Sequence, residues 1–454
     1  MPEPIPILLH IHNRKQAWMV LFGADDMKAR LQSLVRSVGM RHGLIMSAAM
    51  MLAGGLDYAV NVLAGRWLVP IEYGIFVSVA AILQVVLYVS IAIRNIVAFY
   101  TAELSVQTDS DARVGAFVQR GWRWGLQWGL VATALMVIIS TPLAHLLRLP
   151  NAWPLWATSL MVFVLFLRSI TDGALQGMQS FTGLGLVQVT QAFLRLVLAA
   201  ALIWMGWKAI GAIIALPLAG AFALGLAVWF LRPQFRSRGK FAERALSWHY
   251  SAYTVAGLGG FALLTNLDAL FVKRFFSPEV AGNYGPVVTL AKINLFLPLA
   301  MGMVLFPKAT QRQATGRDAR PILLLALAGT VLPGLLLTTL YFFFPGALVK
   351  AIFTGAYTNP GIVLGLANLA ASLYAGLNIW LNYALSLERP AFVYAVIGVL
   401  CWQGLGMVLF GRENLVHMAL VMVSAGVLAN LAGFALTWFP MKGSERRLTL
   451  PVTD

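Results

Sequence analysis

The chain is short of nearly everything that a water-soluble enzyme carries. Of its 454 residues only 11% are charged, against 59% hydrophobic, and the mean hydropathy is +0.78. Soluble domains carry charge on about a quarter of their residues, so a water-soluble fold of this size is excluded. The single cysteine, Cys401, excludes an internal disulfide framework and a cysteine-based metal site. It lies in an apolar run and reads as packing. The six histidines are scattered without ligand spacing, so no metal is expected. There is no Walker A motif, serine elbow or pair of catalytic carboxylates. No connector between apolar runs exceeds about 20 residues, too few for an extramembrane catalytic or nucleotide-binding domain. The chain is therefore read as a non-enzyme without catalytic residues or cofactor. Its energy source is left to a proton or sodium gradient, the membrane potential, or the gradient of its own substrate.

What the chain has in abundance is long apolar runs. A bilayer core about 30 Å thick takes roughly 20 apolar residues per helix. Such runs fall at 43–66, 73–100, 122–147, 154–178, 181–205 and 209–231, and again at 248–272, 281–306, 321–345, 359–386, 390–411 and 414–439. The pattern predicts an all-α polytopic membrane protein of about twelve transmembrane helices in two six-helix bundles, 43–231 and 248–439. They are joined by a basic linker, 232–247, and flanked by an N-terminal arm, 1–42, and a tail, 440–454. Within the arm, Met27, Leu31, Leu34, Val35 and Val38 share one helical face among Lys28, Arg30, Arg36 and Arg41. That is the pattern of an interfacial helix on anionic lipid, or of a disordered basic leader. The opening stretch is broken by Pro and followed by Arg14 and Lys15, unlike a cleavable signal peptide.

Acidic residues are the scarcer charge: 17 Asp and Glu against 33 Lys and Arg, a net +16. In a soluble chain this excess would suggest nucleic acid. Here the basic residues gather in alternate connectors, favouring the side of the two termini by roughly three to one. The positive-inside rule therefore places both termini in the cytoplasm, with the chain in the inner membrane and membrane lipids around it rather than nucleic acid. Trp67, Trp153, Trp156, Trp204, Trp207 and Trp229 fall near expected span ends, where an amphipathic ring prefers the headgroup region.

The two halves share a sequence signal. LDYAVNVLAGRWLVPIEYG, from Leu56 to Gly74, aligns without gaps on LDALFVKRFFSPEVAGNYG, from Leu267 to Gly285, with five identities in 19 positions at an offset of 211. Both begin near the end of the first helix of a half and close with Tyr-Gly at the start of the next. A six-span repeat gives two halves in the same orientation, an arrangement transporters use for alternating access around a central site.

Seven charges fall inside spans: Arg94, Arg168, Arg195, Lys292, Asp57, Asp172 and Asp268. Each costs about 2.5 to 3.5 kcal/mol at the bilayer centre on insertion scales. Arg168 and Asp172 are four apart and can pair on one helix face, or bind a ligand. Arg94, near the cytoplasmic end of its span, can snorkel. Arg195 and Lys292 have no opposite charge within a turn of sequence, and Lys292 falls opposite Ala81 in the repeat. A wet cavity holding such cations suits an anionic group such as phosphate. Arg195, Lys292 and then Arg168 are the expected substrate-binding residues. Asp57 and Asp268, matched by the repeat, are expected to serve coupling or gating, as proton or sodium sites or paired with Arg66 and Lys273. Pro217, Pro298 and Pro333 are expected kink positions. Gly121, Gly125 and Gly129 form a ridge for close helix contact.

The segments RWLVPIEYGIF and LDALFVKRFFSPEVAGNYGPVVTLAKINLFLPLAMGMVLFPK resemble the polysaccharide transporter (oligosaccharide, O-antigen-type flippase) family. That family belongs to the multidrug, oligosaccharidyl-lipid and polysaccharide exporter superfamily, and the match covers about 60 residues. The resemblance implies a V-shaped pair of six-helix bundles moving a polyprenyl-pyrophosphate-linked oligosaccharide to the periplasmic leaflet for cell-surface or exopolysaccharide synthesis. A polysaccharide polymerase and export machinery would be its partners. Two other readings stand beside it. A cation-coupled drug exporter of the same superfamily would favour intramembrane acids over bases, whereas here four cations face three acids. A membrane glycosyltransferase or polymerase would need a sizeable catalytic external loop.

Overall fold

The computed structural model describes residues 38–105, 109–237, 248–295, 320–386 and 391–438. The expected interfacial helix, except its last four residues, most of the basic linker, the end of the eighth span and the tail lie outside the described residues.

Every regular element among the described residues is helical. The first half comprises α1 (Val38–Trp67), α2 (Pro70–Ser105), α3 (Ser110–Leu146), α4 (Trp153–Gly177), α5 (Phe181–Leu202) and α6 (Lys208–Phe230), followed by the single turn α7 (Arg232–Arg236). The second comprises α8 (Trp248–Leu264), α9 (Leu267–Phe275), α10 (Pro278–Ala291), α11 (Arg320–Phe343), α12 (Pro345–Ile352), α13 (Ile362–Ser386), α14 (Ala391–Phe410) and α15 (Leu415–Trp438).

Among the described residues, nine helical stretches are long and apolar enough to cross a membrane, or ten if the bent pair α8–α9 counts as one span. One of the nine, Phe181–Phe230, has 50 residues, about 75 Å if straight, more than twice a bilayer core. It is two crossings. The chain turns back at Ile203–Trp207, where Gly206 takes φ +90°, and α5 and α6 pack against each other. That makes eleven crossings. The remaining expected span, the eighth, begins with α10 and is described as far as Leu295. Large apolar side chains such as Ile138, Leu336 and Leu409 stay exposed, as lipid-facing positions must.

Proline starts helices here, where its missing N–H costs nothing: Pro70, Pro278 and Pro345 open α2, α10 and α12. Pro217 and Pro333, expected to mark kinks, lie inside continuous helices, and Pro298 is outside the described residues. The 46° break falls instead between Leu264 and Leu267. There the Thr265 hydroxyl donates to the Phe261 carbonyl at 3.0 Å and the Asn266 amide to the Ala262 carbonyl at 2.8 Å, side-chain bonds that compete with the helix ladder. The glycine ridge behaves as expected: Gly121, Gly125 and Gly129 of α3 seat Ile170, Leu167 and Phe166 of α4. Cys401, expected to be packed, is exposed on α14.

Helix ends recur between the two halves among the described residues, in a different register from the sequence alignment. Trp67 and Phe275 end helices, Pro70 and Pro278 begin them, and each pair is separated by 208 residues rather than 211. The central helices α4 and α13 start at Trp153 and Ile362, 209 apart. In this register Asp57 matches Thr265, and Lys292 matches Gln84. The two acids are therefore neighbours in the repeat without being equivalent. Gly74 falls opposite Gly282 in this register, and these two meet across the interface: a Cβ on Gly74 would lie 3.1 Å from the Gly282 Cα, and one on Gly282 would run into the Pro70 carbonyl.

The halves meet mainly through α2, which packs on α8, α9 and α10. The Tyr88 and Phe261 rings touch edge to face at 5.5 Å. Near the α1–α2 connector, buried Tyr73 bonds Thr289 at 2.5 Å and packs against Phe353 and Tyr357. The Tyr357 hydroxyl donates to the Gly65 carbonyl at 2.7 Å, and burial pushes this phenol upward in pKa, keeping it a donor. Arg66 donates to the Ile352 and Ala351 carbonyls at 2.7 and 3.0 Å. These contacts seal this end of the interface.

Candidate functional site

Three clusters built on charged side chains lie within the spans among the described residues. The first joins α1 to α5. Small residues bring the helices together, Gly185 of α5 facing Ala49 of α1, and Arg195 then reaches Asp57 at 2.7 Å. The Asp57 side chain is 41% exposed and that of Arg195 12%. The expectation that Asp57 pairs with Arg66 is thereby corrected, since Arg66 is committed to carbonyls of the other half. Arg195, read as lacking an opposite charge nearby, finds one 138 residues away. An open groove of about 470 Å³ runs along α1, lined by Gly55, Ala59 and Val62 and by Leu196 of α5, with Tyr58 and Arg66 as its polar members.

The second cluster is built on α4, α5 and α2. Arg168 and Asp172 form the i,i+4 pair that their spacing allows, at 2.7 Å and almost fully buried. Gln188 donates to the same carboxylate oxygen at 3.2 Å. Gly173 packs on the Arg94 carbonyl, which sets Arg94 level with Asp172. Arg94 is partly buried, and its Nε is enclosed without a hydrogen-bond partner among the described residues. The Nε of Arg168 and the Oδ1 of Asp172 are in the same condition. Arg168 is thus the paired guanidinium of the cluster, and a buried Nε–H on each arginine remains open among the described residues. Charge-assisted bonds from such donors to an oxyanion are the strong class of hydrogen bond.

The third lies at the α8–α9 break. The Lys292 ammonium donates to the Asn266 Oδ1 at 2.6 Å. Asp268 accepts from the Tyr284 hydroxyl at 2.8 Å through Oδ2, so the expected pairing with Lys273 is replaced by a tyrosine. Lys292, Asp268, Thr265, Leu295, Tyr374 and Met422 line a cavity of about 20 Å³. A space this size takes one water, not a phosphate. The expected substrate-binding set is therefore divided: Arg168 and Arg195 lie in separate clusters of the first half, and Lys292 faces a small cavity in the second. Arg94 was missed because nothing near it in sequence distinguishes a buried arginine from one that reaches the headgroups.

No protein-family model matches the chain, and no curated protein matches it in sequence. Solved structures do match. A multidrug resistance MATE family transporter of the MOP superfamily, inward-facing, superposes with TM-score 0.69 at 10% identity, covering 84% of this chain and 94% of its own. The chain shares the fold of that transporter. The lipid II flippase MurJ, in an inward closed conformation, matches at TM-score 0.63 and 13% identity over 86% of this chain and 87% of its own. An outward-facing MATE transporter matches at 0.57 and 13%, over 89% and 96%.

Proposed function

We propose that this chain is a flippase that carries a polyprenyl-pyrophosphate-linked oligosaccharide across the bacterial inner membrane by alternating access, supplying cell-surface or exopolysaccharide synthesis. The observation that carries the reading is the second cluster: two arginines accompany one carboxylate, which pairs with Arg168, and each arginine keeps a buried Nε–H without an acceptor among the described residues. A site with surplus buried positive charge suits an anionic headgroup. Arg195, partly exposed beside Asp57, is a further headgroup contact, and Asp57 is the accessible acid for coupling or gating. The groove along α1 suits a polyprenyl chain that stays in lipid while the headgroup enters between the halves. Both termini lie in the cytoplasm on this reading, so the sealed end is periplasmic. A polysaccharide polymerase and export machinery would take up the product.

The second reading, a cation-coupled exporter of drugs or other small molecules, is favoured by the TM-score of 0.69 to a MATE transporter. One assay separates the two. In vesicles containing the native protein, labelled lipid-linked oligosaccharide should appear in the opposite leaflet, with at least a tenfold slower rate for Arg94→Gln, while a cationic dye should not be moved. Dye transport without lipid translocation would favour the exporter.

A further inference from the structure

The third cluster brings together features that elsewhere belong to a cation site. Broken membrane helices place backbone dipole ends and side-chain oxygens around bound sodium or protons near the midplane. Here α8 ends at Leu264 and α9 begins at Leu267. The negative end of one helix dipole and an acid in the first turn of the next flank the same small space. Its oxygens are the hard donors that suit a small monovalent or divalent cation: Asn266 Oδ1, the Asp268 carboxylate, and the hydroxyls of Thr265 and Tyr374. Asp268 is 4% exposed, and its Oδ1 is buried without a hydrogen-bond partner.

The space already holds a positive charge. From the last residues of α10, where the helix tightens into a 3-10 turn at Lys292–Leu295, the lysine ammonium reaches the Asn266 oxygen at 2.6 Å. The ammonium and the Asp268 carboxylate line the same cavity of about 20 Å³, and one water there would bridge them. The carbonyls freed by the break are taken up by protein donors: Phe261 by Thr265, Ala262 by Asn266, and Leu264 by the Gln403 amide at 3.1 Å.

We propose that Lys292 is a tethered counter-cation that fills a sodium-sized position beside Asp268 and Asn266, so that the second half binds no free sodium. Lys292 is then a positioning residue that holds the α8–α9 break against α10, and the coupling role expected of Asp268 does not operate through a diffusible ion. Removing the ammonium should uncover the site. The inference rests on the broken helix and its cavity, not on the identity of the transported substrate.

The test is thermal unfolding of the purified full-length protein in NaCl, KCl and choline chloride at equal ionic strength. Native protein should show the same Tm in all three. Lys292→Ala, and Lys292→Gln as a second variant that keeps an amide donor, should lose stability in choline and regain several degrees specifically in NaCl. Adding Asp268→Asn to either variant should abolish that gain. A sodium-specific rise in native Tm, or folded Lys292 variants indifferent to sodium, would overturn the proposal. If neither variant folds, the native protein decides alone: indifference to sodium supports the tether and sodium-specific stabilisation refutes it. Because the readout is stability, a failed transport assay and a failed sodium response remain distinguishable.

Discussion

Arg195 and Asp57 are 138 residues apart in the chain and 2.7 Å apart in the fold. The pair ties α1 to α5 within the first half and neutralises two charges that span insertion would otherwise penalise. Its partners are unequally exposed, 41% for the Asp57 side chain and 12% for Arg195. Asp57→Asn strands a mostly buried guanidinium, whereas Arg195→Gln leaves a carboxylate that water can reach. The first should therefore cost more than the second. A double-mutant cycle should give a coupling of roughly 1 kcal/mol, above the exposed-pair norm and below the 3 to 5 kcal/mol of breaking a fully buried pair. Denaturant unfolding in detergent measures both.

The seal at the α1–α2 connector depends on Arg66, which places its charge at the C-terminal end of α12. A cation there satisfies two terminal carbonyls and opposes the helix dipole. Arg66→Ala should weaken the closed arrangement by about 1 to 3 kcal/mol, the range for hydrogen bonds to charged groups. Tyr357→Phe, which removes the bond to Gly65, should act in the same direction and less strongly. Distance distributions between spin labels at Trp67 and Thr354 should broaden toward longer values in both variants, and unchanged distributions would show that the latch does not hold the end shut.

Close approach of Gly74 and Gly282 leaves no room for a side chain. Gly282→Ala would push against the Pro70 backbone, which cannot yield as a side-chain tip would, and overpacking of this kind costs about 1 to 3 kcal/mol. Gly74→Ala meets the Gly282 backbone at a longer distance and should cost less. Comparing their melting temperatures with the native value checks the order.

Much of the architecture was legible in the sequence because it follows from composition: span count and the two-half plan depend on apolar length and repetition, which survive many substitutions. The Arg168–Asp172 pair was legible for a similar reason, since both residues share one helix. The repeat register was not. Leu-Asp and Tyr-Gly align at 211, while the helix ends align at 208, because identities can coincide where backbone positions do not. The α8–α9 break was hidden too, being made by Thr265 and Asn266 rather than by proline. Partners for Arg195 and Lys292 come from other helices, and local spacing carries no information about them. The result is a candidate site centred on Arg94 and Arg168, with Lys292 assigned to a different task.

The central claim is that Arg94 and Arg168 grip an anionic headgroup. Its most direct test is the affinity of the purified protein for a short-chain polyprenyl pyrophosphate without sugar, compared between native protein and Arg94→Gln, which leaves the Arg168–Asp172 pair in place. Loss of one charge-assisted contact should weaken binding by about tenfold or more, with the uncharged polyprenol binding both proteins alike. Equal pyrophosphate affinity in native and folded Arg94→Gln protein would contradict the account.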